Sequence, residues 1–218
     1  MKPPEQIWKA IAQDIKEDII AGVYNSADWL KETELSEKYS VSKTPVREAL
    51  RYLGGIGIVE IIPNRRARIS QLEKKDVQNL YCIQAVLEGL AVQLATPELK
   101  QSHLVKLERF VNLLEKYSKE GKSKEYEKAN IGFHSLIWRS SGNEKLLEMI
   151  NGIYEQLQRF RSIHRRYPER FKVLVADHRK ILEAIYQKDG IEAERLIRLH
   201  TKKQEQYILE ILKKENMF

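Results

Sequence analysis

The chain has 218 residues, 42% of them apolar and 32% charged, with a mean hydropathy of −0.51. That balance describes a folded globular protein with room for one large core or two small ones, not a disordered chain. A net charge of +7, from 38 Lys and Arg against 31 Asp and Glu, favours anionic partners without requiring them. The single cysteine, Cys82, excludes an internal disulfide framework and a Cys-rich zinc module and fits a reducing cytoplasm. No apolar run approaches the ~20 residues of a membrane-spanning helix, and the opening residues lack the apolar core of a secretion signal.

Taken in chain order, Ile7, Ile11, Ile15 and Ile19 recur at helical spacing up to Gly22, a natural stop. A short helix is expected over Lys31–Tyr39 and a third from Ser42 to Leu53, with Pro45 tolerated in the first turn. Ile58–Ile62 and Ala67–Ser70 read as two strands joined by Pro63, Asn64, Arg65 and Arg66. Helix, helix, helix, hairpin is the order of a winged helix-turn-helix. Beyond this point Gly and Pro thin out. Periodic helices are expected over Lys75–Ala95, Glu98–Lys119, Lys124–Ser140, Glu144–Arg161, Pro168–Lys188 and Ile191–Lys214, with breaks at Thr96-Pro97, Gly121, Ser141-Gly142-Asn143, Tyr167-Pro168 and Asp189-Gly190. The fold class is therefore mainly α. A winged helix-turn-helix over residues 1–70 and a short charged linker over 71–75 lead into an all-α helical bundle over 76–218.

The third helix separates its residues by face. Val46, Leu50 and Leu53 fall on one side and Lys43, Arg47 and Arg51 on the other. Such a stripe fits a solvated helix face. It equally fits a face laid against an anion, because adjacent cations repel unless something negative lies over them. The helix start, with Ser42 and Thr44, adds free N–H groups and hydroxyls suited to phosphate and base-edge contact. Residues 41–70 hold six cations against two acids, whereas residues 1–40 hold five against eight. Positive charge is focused on the third helix and the hairpin, whose tip Asn64-Arg65-Arg66 can enter a groove or grip phosphate.

The segment Val41-Ser42-Lys43-Thr44-Pro45-Val46-Arg47-Glu48-Ala49-Leu50, with Glu34-Leu35-Ser36-Glu37 before it and Gly57-Ile58-Val59 after it, resembles the winged helix-turn-helix of the GntR family of bacterial transcriptional regulators. The likeness covers most of residues 7–70. It implies that Thr33, Ser42, Lys43, Thr44 and Arg47 contact double-stranded operator DNA, with the wing tip helping. Lys43 stands where the family usually has Arg, which exchanges a bidentate fork for a point charge; Arg66 stands where the wing usually has Gly.

All five histidines lie in the second half: His103, His134, His164, His178 and His200. Asn130 and His134, four apart, share a helical face, and His178 and His200 sit in register with apolar stripes on two other predicted helices. Imidazoles from three helices meeting in one bundle would make a divalent-metal site; the same pattern also suits ordinary hydrogen-bonded core histidines. Asn130-Ile131-Gly132-Phe133-His134, then Ser141-Gly142-Asn143, then His178 and His200 resemble the FCD ligand-binding domain of the FadR subfamily of GntR regulators. The resemblance implies a divalent metal ion held by Asn130, His134, His178 and His200, zinc first, with nickel or manganese as alternatives. It also implies a small-molecule effector, a carboxylate, beside that metal. Asn130 replaces the usual Asp, so three neutral imidazoles and an amide would leave the ion's charge uncompensated. Gln84 replaces an Arg that meets the effector's acid group in many relatives; read alone, it fits a solvent-facing helix position. Glu88 reads as a buried cap or ion-pair partner rather than a catalyst.

The reading that follows is a ligand-responsive, cytoplasmic transcriptional regulator acting as a homodimer on a pseudo-palindromic site, with no membrane partner and no catalytic residue. Two alternatives stand beside it. One is a dimeric DNA-binding protein whose helical half binds neither metal nor effector. The other is a His-metal enzyme, against which the chain lacks a HExxH motif, a P-loop and a nucleophile elbow.

Overall fold

The computed structural model describes residues 4–21, 23–24, 27–62, 66–71, 73–164 and 167–214, with the side chains at 4–6, 20, 21, 66, 159 and 161–164 outside the description. Asn64 and Arg65 therefore lie outside the described residues, as does the Arg66 side chain. The chain divides into two compact units, Met1–Glu73 and Lys74–Phe218.

The first unit contains α1 (Pro4–Ala21), β1 (Trp29–Leu30), α2 (Glu32–Lys38), α3 (Lys43–Gly55), β2 (Val59–Ile62) and β3 (Arg66–Ile69). Ile11 and Ile15 of α1, Leu35 of α2 and Val46, Leu50 and Leu53 of α3 are buried in one core with Leu30, Val59, Ala67 and Ile69 of the sheet. The isoleucine and leucine spacing thus does what helical periodicity requires: each helix turns one apolar stripe inward. Strand β3 is central. It pairs antiparallel with β2, placing Glu60 opposite Arg68, and with β1, placing Leu30 opposite Ala67. The cross-strand pair is closed by Arg68 Nε donating to Glu60 Oε2 at 2.7 Å. The two-residue strand β1 has no counterpart in the sequence reading, because two residues carry no alternation to detect.

The second unit is all-helical: α4 (Lys74–Glu98), α5 (Gln101–Glu120), α6 (Ser123–Ser140), α7 (Glu144–His164), α8 (Phe171–Tyr186) and α9 (Gly190–Lys214), with a short 3₁₀ turn over Pro168–Arg170. Helix α4 lies along α9, α5 packs on α6 and α8, and α6 and α7 also touch α4. Their shared core includes Val92, Leu107, Val111, Phe133, Ile137, Ile181, Ile185 and Ile197.

Helix α4 departs from expectation at its end: it runs through Pro97 instead of breaking before it. A proline in the last turn forfeits only one helix bond. The bond forfeited is the one to the Gln93 carbonyl, and a Cβ on Gly190 would stand 3.1 Å from that same oxygen. Glycine at the start of α9 lets the two backbones approach where α4 is no longer saturated.

Candidate functional site

On α3 the apolar side is fully used: Val46 is 0%, Leu50 3% and Leu53 0% exposed. Ser42, Lys43, Thr44 and Arg51 are exposed, Arg47 is half-buried, and Thr33 at the start of α2 is exposed. Arg51 pairs loosely with Glu48 on its own helix at 3.2 Å. Arg47 is held differently, by a carboxylate from another helix: its Nε donates to Glu32 Oε2 at 2.8 Å.

In the helical unit, folding gathers three of the four sequence-proposed metal ligands. His134 on α6, His178 on α8 and His200 on α9 are 3%, 0% and 1% exposed, and each has a ring nitrogen within 4.8 Å of one on each of the others. Ring centroids lie 5.2 Å (His134–His178), 5.5 Å (His134–His200) and 4.5 Å (His178–His200) apart. Phe133 presents its ring edgewise to both His134 and His178. The α6 segment reaches inward because position 132 is glycine, with the Phe110 ring occupying the place a Cβ would take. Asn130 is half-buried one turn before His134.

The outward nitrogens determine what the inner ones can do. His178 Nδ1 is 2.7 Å from the Leu174 carbonyl oxygen, an acceptor only, so this nitrogen carries the proton and Nε2 carries a lone pair. His134 Nδ1 lies 3.4 Å from Glu88 Oε2 and His200 Nδ1 lies 3.5 Å from Asp177 Oδ2. Those contacts are in ion-pair range but outside hydrogen-bond geometry, so the carboxylates face the rings without fixing their tautomers. Gln204 Nε2 reaches His200 Nε2 at 2.7 Å. His134 Nε2 and His178 Nε2 face one another at 3.2 Å, with the lone pair of His178 Nε2 turned toward His134. Burial holds His178 well below the ordinary imidazole range, with His200 and His134 adding to the effect. Burial also lowers His200, opposed by the Asp177 carboxylate. His178 and His200 are therefore neutral near pH 7, the form in which histidine binds metals.

A divalent ion fits this donor set. The 3.2 Å between His134 Nε2 and His178 Nε2 is a separation compatible with two nitrogens each at about 2.0–2.1 Å from one ion. An outer acceptor behind each imidazole is the usual support of a histidine ligand. Gln84 Oε1 and Thr201 Oγ1 are buried without a hydrogen-bond partner among the described residues, which a dry, finished core avoids.

The structure also changes the expected charge balance. Asn130 does bring no carboxylate, but Glu88 and Asp177 do, from α4 and α8. Burial raises the Asp177 carboxyl, yet the His200 imidazole and the Lys203 ammonium outweigh it and its pKa ends below the usual range; Lys203 Nζ is 2.7 Å from Asp177 Oδ1. Gln84 is not a solvent-facing residue. It is 3% exposed, and its amide donates to Glu88 Oε1 at 2.5 Å, joining it through Glu88 to His134. Asp177, Thr201 and Gln204 were missed in the sequence. Gln204 stands four residues after His200, as Glu88 stands four after Gln84, so helical spacing from a suspected ligand would have found it.

A winged helix-turn-helix with a cationic helix face and an all-helical unit with a buried imidazole cluster are the two parts of this chain. Known families agree. Residues 8–69 match the bacterial regulatory proteins of the gntR family and residues 79–203 match the FCD domain. The chain belongs to the GntR family of bacterial transcriptional regulators, with an FCD domain as its second part. It is 27% identical over 198 residues to the uncharacterized HTH-type transcriptional regulator YdhC of Bacillus subtilis, covering 90% of this chain and 88% of that one. It is 22% identical over 200 residues to the HTH-type transcriptional repressor RspR of Escherichia coli, covering 92% and 88%. Among solved structures, E. coli McbR/YncC superposes with a TM-score of 0.78 at 20% identity, over 96% of this chain and 99% of that one. The protein is thus a DNA-binding transcriptional regulator and not an enzyme. No helix among the described residues is long and apolar enough to cross a membrane.

Proposed function

We propose that this regulator senses a small carboxylate at a metal centre formed by His134, His178 and His200, with Asn130 as a fourth ligand and zinc as the ion. The observation that carries the reading is the convergence of three buried imidazoles, each with an oxygen facing its Nδ1. When bound, the ion supplies a Lewis-acidic anchor for an anionic group. The chain's own residues do the rest. Leu174, Glu88 and Asp177 orient the rings, and Glu88 and Asp177 supply the negative charge that Asn130 withholds. Gln84, fixed through its amide by Glu88, offers its free carbonyl oxygen to a donor on the effector. Effector binding regulates DNA affinity only to the extent that it prefers one packing of the bundle over another.

Thr33, Ser42, Lys43, Thr44, Arg47 and Arg51, with the wing tip Asn64, Arg65 and Arg66, form the proposed DNA contact set. The exposure of the α3 polar face supports it. A cytoplasmic homodimer on two half-sites completes the reading. It is supported by an exposed apolar stripe along one side of α4, where Ile83, Val86, Leu90 and Leu94 are 45%, 46%, 38% and 37% exposed, more than an isolated helix face gains from leaving in water.

Elemental analysis of untagged protein purified without chelator tests the centre. About one metal per chain is expected, lost in His178→Ala; no metal in either protein after zinc addition would refute it. For the reading head, a duplex selected by the protein from a randomised pool should bind Arg47→Ala more weakly by about 1–3 kcal/mol. An unchanged dissociation constant at fixed salt would remove Arg47 from the contact set.

A further inference from the structure

Among the three cations on the outer face of α3, only Arg47 is engaged by another element among the described residues. Arg51 makes an open i,i+3 pair with Glu48, with side chains 72% and 49% exposed, and Lys43 is exposed. The Arg47 pair is of another kind. Glu32 is the first residue of α2, its side chain is only 12% exposed, and that of Arg47 is 35% exposed. The bond uses the Nε–H, at 2.8 Å from Glu32 Oε2. A guanidinium gripped there has lost rotation about its long stem, while its four Nη–H donors remain at the outer end. Two of those, side by side, are what a bidentate contact to a guanine edge uses.

The acid is out of place for a surface that only gathers charge. A carboxylate beside a helix meant to lie against phosphates repels every DNA sequence alike. The positive end of the α2 dipole stabilises Glu32 where it stands, so the fold tolerates it, but tolerance is not a reason to have it. Orientation is. A free arginine contacts phosphates and bases in many poses; a clamped one meets a single base pair in one pose, and discrimination rises because wrong pairs leave its donors unmatched.

We propose that Glu32 is a specificity-determining positioning residue: by holding Arg47 through Nε it aims the Nη edge at one base pair of the operator. This rests on Arg47 being a DNA-reading residue. The quantity affected is the ratio of affinities for the selected and a scrambled duplex, not affinity as a whole. Glu32→Asp keeps the charge but withdraws it by one methylene. Glu32→Ala removes both the charge and the clamp.

The test uses the full chain, the duplex selected from a randomised pool and a scrambled duplex of equal length, at one fixed salt concentration. Glu32→Asp is expected to lower the selected-to-scrambled ratio about tenfold while leaving scrambled binding unchanged, a cost of the size that one lost base contact gives. Glu32→Ala is expected to lower the ratio at least as far while scrambled binding tightens, because a repelling charge has gone. In an Arg47→Ala background, Glu32→Ala should leave the ratio unmoved, since the two act as one unit. A ratio within twofold of the parent in folded Glu32→Asp, with Arg47→Ala impaired, overturns the clamp while leaving the reading helix intact. A ratio unchanged by Arg47→Ala itself overturns both and places the fault in the assignment of Arg47. Circular dichroism and the unfolding midpoint of each variant separate these results from misfolding, and Glu32→Asp carries the test should Glu32→Ala lose its helix signal.

Discussion

The two units handle polar groups in opposite ways. In the winged unit the proposed DNA-contacting side chains project from an element whose other face is core: Val46 and Leu53 of α3 are 0% exposed, whereas Lys43, Thr44 and Arg51 of the same helix are exposed. In the helical unit the side chains of the proposed site are themselves part of the core, with His178 and His200 0% and 1% exposed. A surface cation keeps its water, so its chemistry is that of its residue type. A buried imidazole has lost its water, and its neighbours decide which nitrogen bears the proton. The first kind of site tolerates imprecise placement and depends on salt; the second depends on every supporting group and on pH.

The largest expected effect falls on the buried site. Zinc at a thousandfold its dissociation constant should stabilise the parent by about 4 kcal/mol against urea, and His178→Ala should abolish that gain. A variant that retains it would place the ion elsewhere. One layer out, Asp177→Asn should weaken zinc binding by about 10–100-fold in a chelator competition, because the amide orients His200 without supplying charge; equal affinity would make Asp177 a partner of Lys203 alone.

Acid comes next. The folded state holds His178 and His200 below their ordinary values, so below about pH 6.5 the unfolded chain binds the protons that the folded chain refuses. Metal-free stability should therefore be full above that pH. It should fall as the pH drops through it, by up to about 1.4 kcal/mol per pH unit for each imidazole. Urea midpoints taken between neutral pH and about pH 5, where carboxylates stay ionised, check the slope, and a flat profile would show that the imidazoles are hydrated. The smallest effect belongs to the exposed helix. Lys43→Arg should hold or slightly improve base discrimination, by less than about 1 kcal/mol, since a fork replaces a point charge on a side chain that nothing constrains. A marked loss in the selected-to-scrambled ratio would show that the ammonium makes a contact the fork cannot.

Legibility in the sequence followed the same division. The apolar spacing of Val46, Leu50 and Leu53 sufficed to place Lys43 and Arg51 on the open side of α3, because a helix repeats every 3.6 residues whatever surrounds it. The His134, His178 and His200 set could be suspected from apolar register and family likeness, but its supports could not. Asp177 is adjacent to His178 in sequence and yet faces His200 on α9. Gln84 could be named as an effector contact from family likeness, but its burial could not be read locally, because its partner Glu88 is buried by helices far away in the chain. The break expected at Pro97 failed for a related reason: the bond that proline gives up lies where α9 comes close, so tertiary contact decided where the helix ends.

What the sequence determined by itself was local and periodic: which segments are helices, which face of each turns inward, which cations remain outside, and hence the architecture and the DNA-reading element. The tertiary structure decided which distant side chains meet. It gathered the three imidazoles, set the Glu88 and Asp177 carboxylates beside two of them, and tied Arg47 to Glu32. Periodicity is a property of neighbours along the chain, whereas a buried polar site is a property of neighbours in space, and only packing specifies those.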